Sequence, residues 1–170
     1  MKFCFFFLIL FPFSITADKN KMKLDPQLKS SYLDLLKQAS AFHEVIGQKD
    51  EKKIQTEIRE TQELIAKLYR QSSFLPELHF RIHSHKLLQS IEEQLNIIND
   101  RSPLKKSQEK KAIKKLFNSF FELAQVYDLT KDIKTKVFYC KKDKSLWFQT
   151  NGKAQNPINP SYKNCATQIL

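Results

Sequence analysis

Glycine is nearly absent, with two in 170 residues. That scarcity leaves no room for a phosphate-cradling glycine loop and disfavours the many tight turns of an all-β domain. No serine-centred nucleophile elbow and no paired-acid motif appears either, so nothing in the chain assembles the groups an active site needs, and no catalytic residue is assigned. Cysteine is scarce too, with three in all. Acidic residues are outnumbered, 18 Asp and Glu against 29 Lys and Arg, for a net charge of +11.

What is present begins with a leader. Met1-Lys2 is a short basic start, Phe3 to Phe13 is apolar apart from Pro12, and Ser14-Ile15-Thr16-Ala17 precedes the charged Asp18-Lys19. This is the layout of a secretory signal peptide over residues 1–17, with cleavage after Ala17 or after Thr16. The apolar stretch is shorter than the ~20 residues a spanning helix requires, so a retained anchor is the weaker reading and no transmembrane segment is expected after cleavage. Cys4 lies too early to be lipidated at the cut. The mature chain, residues 18–170, suits one domain with one core, placed in a periplasm or outside the cell. It keeps two cysteines, Cys140 and Cys165, which in an oxidising compartment read first as a disulfide and, only if reduced, as thiolate metal ligands.

The middle of the chain is rich in Lys, Glu, Gln, Leu and Ile and predicts four helices. The first opens on Asp25-Pro26, carries Leu28, Tyr32, Leu35, Ala39, Phe42 and Ile46 at three and four spacing, and has Gly47 as its natural stop. The second runs from about Asp50 to Gln71 with Ile54, Ile58, Thr61, Ile65 and Leu68, a narrower face for the wetter side of the assembly. A third starts near Pro76 and reaches about Asn99, with Leu78, Ile82, His85, Leu88, Ile91, Leu95 and Ile98 in register. Ser102-Pro103 announces a fourth, whose apolar face is Ile113, Leu116, Phe117, Phe120, Ala124 and Tyr127, widened by Phe121. Short connections between long amphipathic helices predict a mainly α, antiparallel up-and-down four-helix bundle. After Lys136 the period changes. Val137-Phe138-Tyr139 and Leu146-Trp147-Phe148, on either side of Lys141-Lys142-Asp143-Lys144-Ser145, predict a short β-hairpin. From Asn151-Gly152 onward the chain reads as loop pinned at Cys165, so residues 137–170 form a cysteine-bounded tail.

Three constellations carry chemistry worth weighing. His79 and His83, four apart, share a helix face as two metal-binding imidazoles do, but no third ligand accompanies them and a solvated face is the simpler reading. His85 reads as a partly buried histidine, and His43 borders the first helix's stripe with no further signal. Lys105, Lys106, Lys110, Lys111, Lys114 and Lys115 make a basic flank on the fourth helix. It is either an ordinary solvated face or a surface for anionic lipid, lipopolysaccharide or an acidic envelope protein. Nucleic acid is not expected, because the chain is exported and its lysines are not interleaved with exposed aromatics that stack bases. Cys140 as a nucleophile would compete with Cys165 for its own thiol, so no enzyme is expected.

The order Cys140, Trp147, Asn156-Pro157, Cys165, after a helix, resembles a family of unknown-function domains found alone in bacterial envelopes or attached to periplasmic adaptor proteins of copper and silver efflux pumps. In that family the first cysteine opens Cys-Pro-Met, a tryptophan and Asn-Pro follow, and Met-x-x-Cys-Gly closes. The resemblance covers about the last third of the chain. It implies an envelope helical domain of the same architecture, with copper or silver handling inferred from relatives. The residues that would bind the metal differ: Lys141-Lys142 stand in place of Pro-Met, Tyr162 in place of the second methionine, and Ala166 in place of the closing glycine. Soft thioethers and thiolates select Cu(I), so these departures argue against a retained copper site and favour a non-enzymatic interaction module.

Overall fold

A computed structural model describes residues 24–100, 106–162 and 164–170. The expected signal peptide over residues 1–17, Ser102-Pro103, Lys105 and the side chain of Lys106 lie outside the described residues. Among those described, the order is α1 (Pro26–Gln48), α2 (Glu51–Ser72), α3 (Leu78–Asn99), α4 (Lys106–Val126), β1 (Lys136–Cys140), β2 (Ser145–Gln149) and β3 (Ala166–Gln168). The protein is mainly α, four helices followed by a small antiparallel sheet.

Local chemistry sets most of the boundaries. Asp25 caps α1, its Oδ1 accepting from the backbone N–H groups of Gln27 and Leu28 at 3.0 Å each, and Pro26 follows where its missing N–H costs nothing. Asp50 does the same for α2 through Lys53 N–H. Gly47 does not end α1. The helix runs to Gln48, and Lys49 takes the left-handed conformation with φ 56°, its N–H returning to the Ile46 carbonyl. Gly47 has no atom near enough to crowd an added Cβ, so nothing at that position demands glycine.

The helices run antiparallel in sequence order. Tyr69 meets His85 and Gln62 meets Asn96 across α2 and α3, and Ser90 meets Ser119 while Tyr127 reaches the Phe80 carbonyl across α3 and α4. α1 buries the widest face, including Leu28, Tyr32, Leu35, Leu36, Ala39 and Phe42. α2 buries only Ile58, Thr61, Ile65, Leu68 and Ser72, as its narrow stripe predicts. α4 contributes Ile113, Leu116, Phe117, Phe120, Leu123 and Ala124.

The start of α3 departs from the expected register. Leu78 and Ile82 are exposed, at 59% and 46%, and burial begins at Ser84 and Leu87. The amphipathic repeat continues there without a partner, because α2 has ended at Ser72 and the chain turns outward through Phe74.

β1 and β2 form the expected hairpin, with Phe138 opposite Trp147 and Val137 opposite Phe148. The tail, expected to be loop to its end, adds β3 to the other side of β1, with Cys140 opposite Ala166, giving the order β2-β1-β3. Alternation along β2 gives it two jobs. Phe148 points to the helices, its ring 6.4 Å from those of Phe117 and Phe120. Ser145, Trp147 and Gln149 face the other way, where the loop after β2 covers them. Every residue of β2 is therefore buried, although it is an edge strand.

Candidate interaction surface at the clipped hairpin

The tail is held by polar groups to a degree the bundle is not. Cys140, fully buried on β1, and Cys165, just before β3, have their sulfurs at disulfide distance with Cα atoms 4.9 Å apart. Beside them the turn residue Asp143 is encircled. Its Oδ1 accepts from the N–H and hydroxyl of Ser145, its Oδ2 accepts from the amides of Asn156 and Asn159, and its backbone carbonyl accepts from Lys114 Nζ on α4. Partial burial pushes the Asp143 carboxyl up, but the hydrogen bonds from Ser145, Asn159 and Asn156, with the charge of Lys114, outweigh it and hold the group below its ordinary range.

Asn156 is the hub. Its Nδ2 donates to Ser145 Oγ at 2.9 Å and lies 3.9 Å from Cys165 Sγ, while its Oδ1 accepts from the backbone N–H groups of Ile158 and Asn159 at 3.0 Å each. An asparagine side chain that mimics a backbone turn is what Asn-Pro needs here, because Pro157 has no N–H of its own to offer. Gln149 organises the other half of the loop, donating to the carbonyls of Asn151 and Lys153 and accepting from Gln155 N–H and, at 3.4 Å, from Trp147 Nε1.

On top of this frame the lysines converge. Lys110 and Lys114, one helical turn apart, reach Asn159 and Asp143, so the basic flank of α4 faces the hairpin turn that carries Lys141, Lys142 and Lys144. Lys111 and Lys115 stand about 100° further round the same helix; all but the half-buried Lys114 are exposed. Lys142 lies over the Tyr162 ring at 5.7 Å. Asp143, the acid at the centre, is spent on its internal partners. The result is a lysine surface in which Lys110 and Lys114 tie α4 to the hydrogen-bonded tail beneath it. Each cation contributes little alone, and their sum makes a field that attracts anions. The hairpin lysines were each visible in the sequence, but their union with those of α4 depends on a tertiary contact that periodicity does not encode.

The histidines disperse. His79 is exposed, 3.5 Å from Glu77 and tilted against the Phe80 ring. His83 is half-buried, and His85 packs edge-on to Tyr69. Among the described residues no group of three or more His, Cys, Asp or Glu stands close enough to hold a metal ion. His43 carries more than its sequence position indicated. It is buried, its Nε2 donates to the Gln155 carbonyl at 2.9 Å, and it ties α1 to the tail loop on the floor of a cleft of about 520 Å³. Burial lowers its pKa, outweighing the Gln155 carbonyl and Glu44, which act in the opposite direction.

Comparison of the chain with protein-family models, with curated proteins and with solved structures finds no match.

Proposed function

We propose that this protein is an exported, non-enzymatic interaction module of the periplasm or extracellular space, and that it engages an anionic partner through the lysine surface of α4 and the β1–β2 turn. The observation that carries this reading is the contact of Lys110 and Lys114 with the hairpin network, which gathers the lysines of two distant segments into one surface. The leader-like sequence before Asp18 and the cysteine pair support an oxidising compartment. Binding of a soluble polyanion should fall steeply with added salt. Lys111→Glu with Lys115→Glu and Lys142→Glu should abolish it without moving the denaturation midpoint. Binding that ignores both salt and these substitutions would reject the reading.

A second reading is heavy-metal handling in the cell envelope. It is supported by two sulfurs side by side, which reduction would turn into adjacent soft ligands for copper or silver, and by the resemblance of the tail to domains of efflux adaptors. With Lys141, Lys142 and Tyr162 where that family has Pro-Met and Met, oxidised protein should bind Cu(I) or Ag(I) weakly, which calorimetric titration measures directly.

A further inference from the structure

At the end of the bundle formed by the α2–α3 turn, Phe74 is 87% exposed, and Leu78 and Ile82, one helical turn apart at the start of α3, are exposed as well. The turn is not loosely held. Leu75 is buried 5% exposed, Phe74 and Leu75 N–H groups bond the carbonyls of Gln71 and Ser72, and Arg81 donates to the Ser73 carbonyl at 3.2 Å. Phe74 is therefore projected outward by a fixed scaffold. Three large apolar side chains exposed at one end of the bundle make the kind of patch that marks an interaction site.

The surroundings indicate which. Arg70 precedes Phe74 by one helical turn, Arg81 braces the turn, and Lys86 continues the Leu78–Ile82 line by one turn more. Glu77, beside His79, is one acid of the tip, and Asp25 before α1 and Asp128 after Tyr127 lie toward the same end. Three apolar side chains alone cannot supply the roughly 800 Å² per partner of a stable protein interface. An aromatic and two aliphatic side chains bordered by long cations do suit a lipid interface, where the apolar tips enter the acyl boundary and Arg and Lys reach the headgroups. The start of α1 lies at this same end, since Tyr32 on its second turn meets Ser84 and stacks on Tyr127.

We infer that the Phe74–Leu78–Ile82 tip docks peripherally on an anionic lipid bilayer, leaving the lysine surface at the hairpin turn for a separate partner. This inference does not rest on the function proposed above. The test uses exported protein, its N-terminus established by mass, with vesicles of phosphatidylcholine and phosphatidylglycerol in equal parts and with phosphatidylcholine alone. Co-sedimentation should favour the anionic vesicles and weaken about tenfold or more in Phe74→Ser with Leu78→Ser, an exposed pair whose loss leaves the fold intact. Binding should persist in Lys111→Glu with Lys115→Glu. A Phe74→Trp variant should shift its emission to the blue on adding anionic vesicles, over the constant signal of fully buried Trp147. Unchanged sedimentation of the Phe74→Ser, Leu78→Ser variant would overturn the inference. So would loss of binding in the lysine variant alone, or a protein dimer that Phe74→Ser dissolves, which would give the patch to a second copy.

Discussion

The bundle and the tail of this protein are stabilised by different means. The bundle relies chiefly on apolar burial: Phe42, Phe117, Phe120, Leu88 and Ile91 are fully buried, and its internal polar contacts are isolated pairs such as Tyr32 with Ser84 and Ser90 with Ser119. The tail has only three short strands, and it compensates with a cysteine bridge, one fully buried tryptophan and a ring of side-chain amides around Asp143. Phe148 joins the two regions by packing against Phe117 and Phe120. A segment too small to bury a core of its own can borrow the face of a larger one and fix its remaining side with polar bonds and a covalent clip.

The largest effects should come from the shared core. Phe117→Ala and Trp147→Ala should each cost about 3–5 kcal/mol, both positions being fully buried. Both should lower a single unfolding transition followed by helical circular dichroism, whereas Lys110→Ala should stay within about 0.5 kcal/mol. If Trp147→Ala loosened the tail and left the helical transition untouched, the two regions would be independent units. Next comes the clip. Removing the bond between residues 25 apart should cost roughly 3 kcal/mol by chain entropy, read as the shift in denaturation midpoint of Cys140→Ser with Cys165→Ser. Asn156→Ala should follow, at about 1–3 kcal/mol, because it strips partners from Asp143 and Ser145 inside a buried network.

The smallest effect is a pH dependence. His43 has a folded pKa below its ordinary 6.5, so the unfolded chain binds the proton more tightly. Its contribution to stability is present above pH 6.5 and declines as pH falls through the lower folded value. His43→Gln should flatten that limb of the stability profile in chemical denaturation. An unchanged slope would show that the tie between α1 and the tail loop is not sensitive to His43 protonation.

The two regions also differed in how far the sequence revealed them. Repeats at three and four spacing located all four helices, and α1 and α4 bury the residues their stripes name, except Phe121, which is half-buried. The same rule misplaced Leu78 and Ile82, since periodicity marks an apolar face but does not say whether a neighbour extends far enough to cover it. Gly47 misled for a related reason: Lys49 closes α1 in a left-handed conformation that a lysine can adopt. In the tail the alternation of Val137 to Tyr139 and Leu146 to Phe148 gave the hairpin and the two cysteines gave the clip. β3 was hidden, because Ala166–Gln168 is too short to alternate and its partner strand β1 lies roughly 25 residues earlier in the chain. The roles of Asn156, Gln149 and His43 were hidden as well. The His43 partner is a carbonyl 112 residues on, and Asn156 and Gln149 bond backbone groups of their own loop in a geometry that neither residue spacing nor polarity specifies.

The export proposed above and the closure of the tail through Cys140 and Cys165 make one joint claim. Its most direct test is intact mass of protein recovered from the periplasm or medium, denatured and treated with a thiol-alkylating reagent without reductant. The account predicts a chain starting at or near Asp18 with no cysteine alkylated. Two alkylated cysteines, in protein that binds Cu(I) tightly and stoichiometrically and loses it in Cys140→Ser, would contradict it and assign the tail to metal.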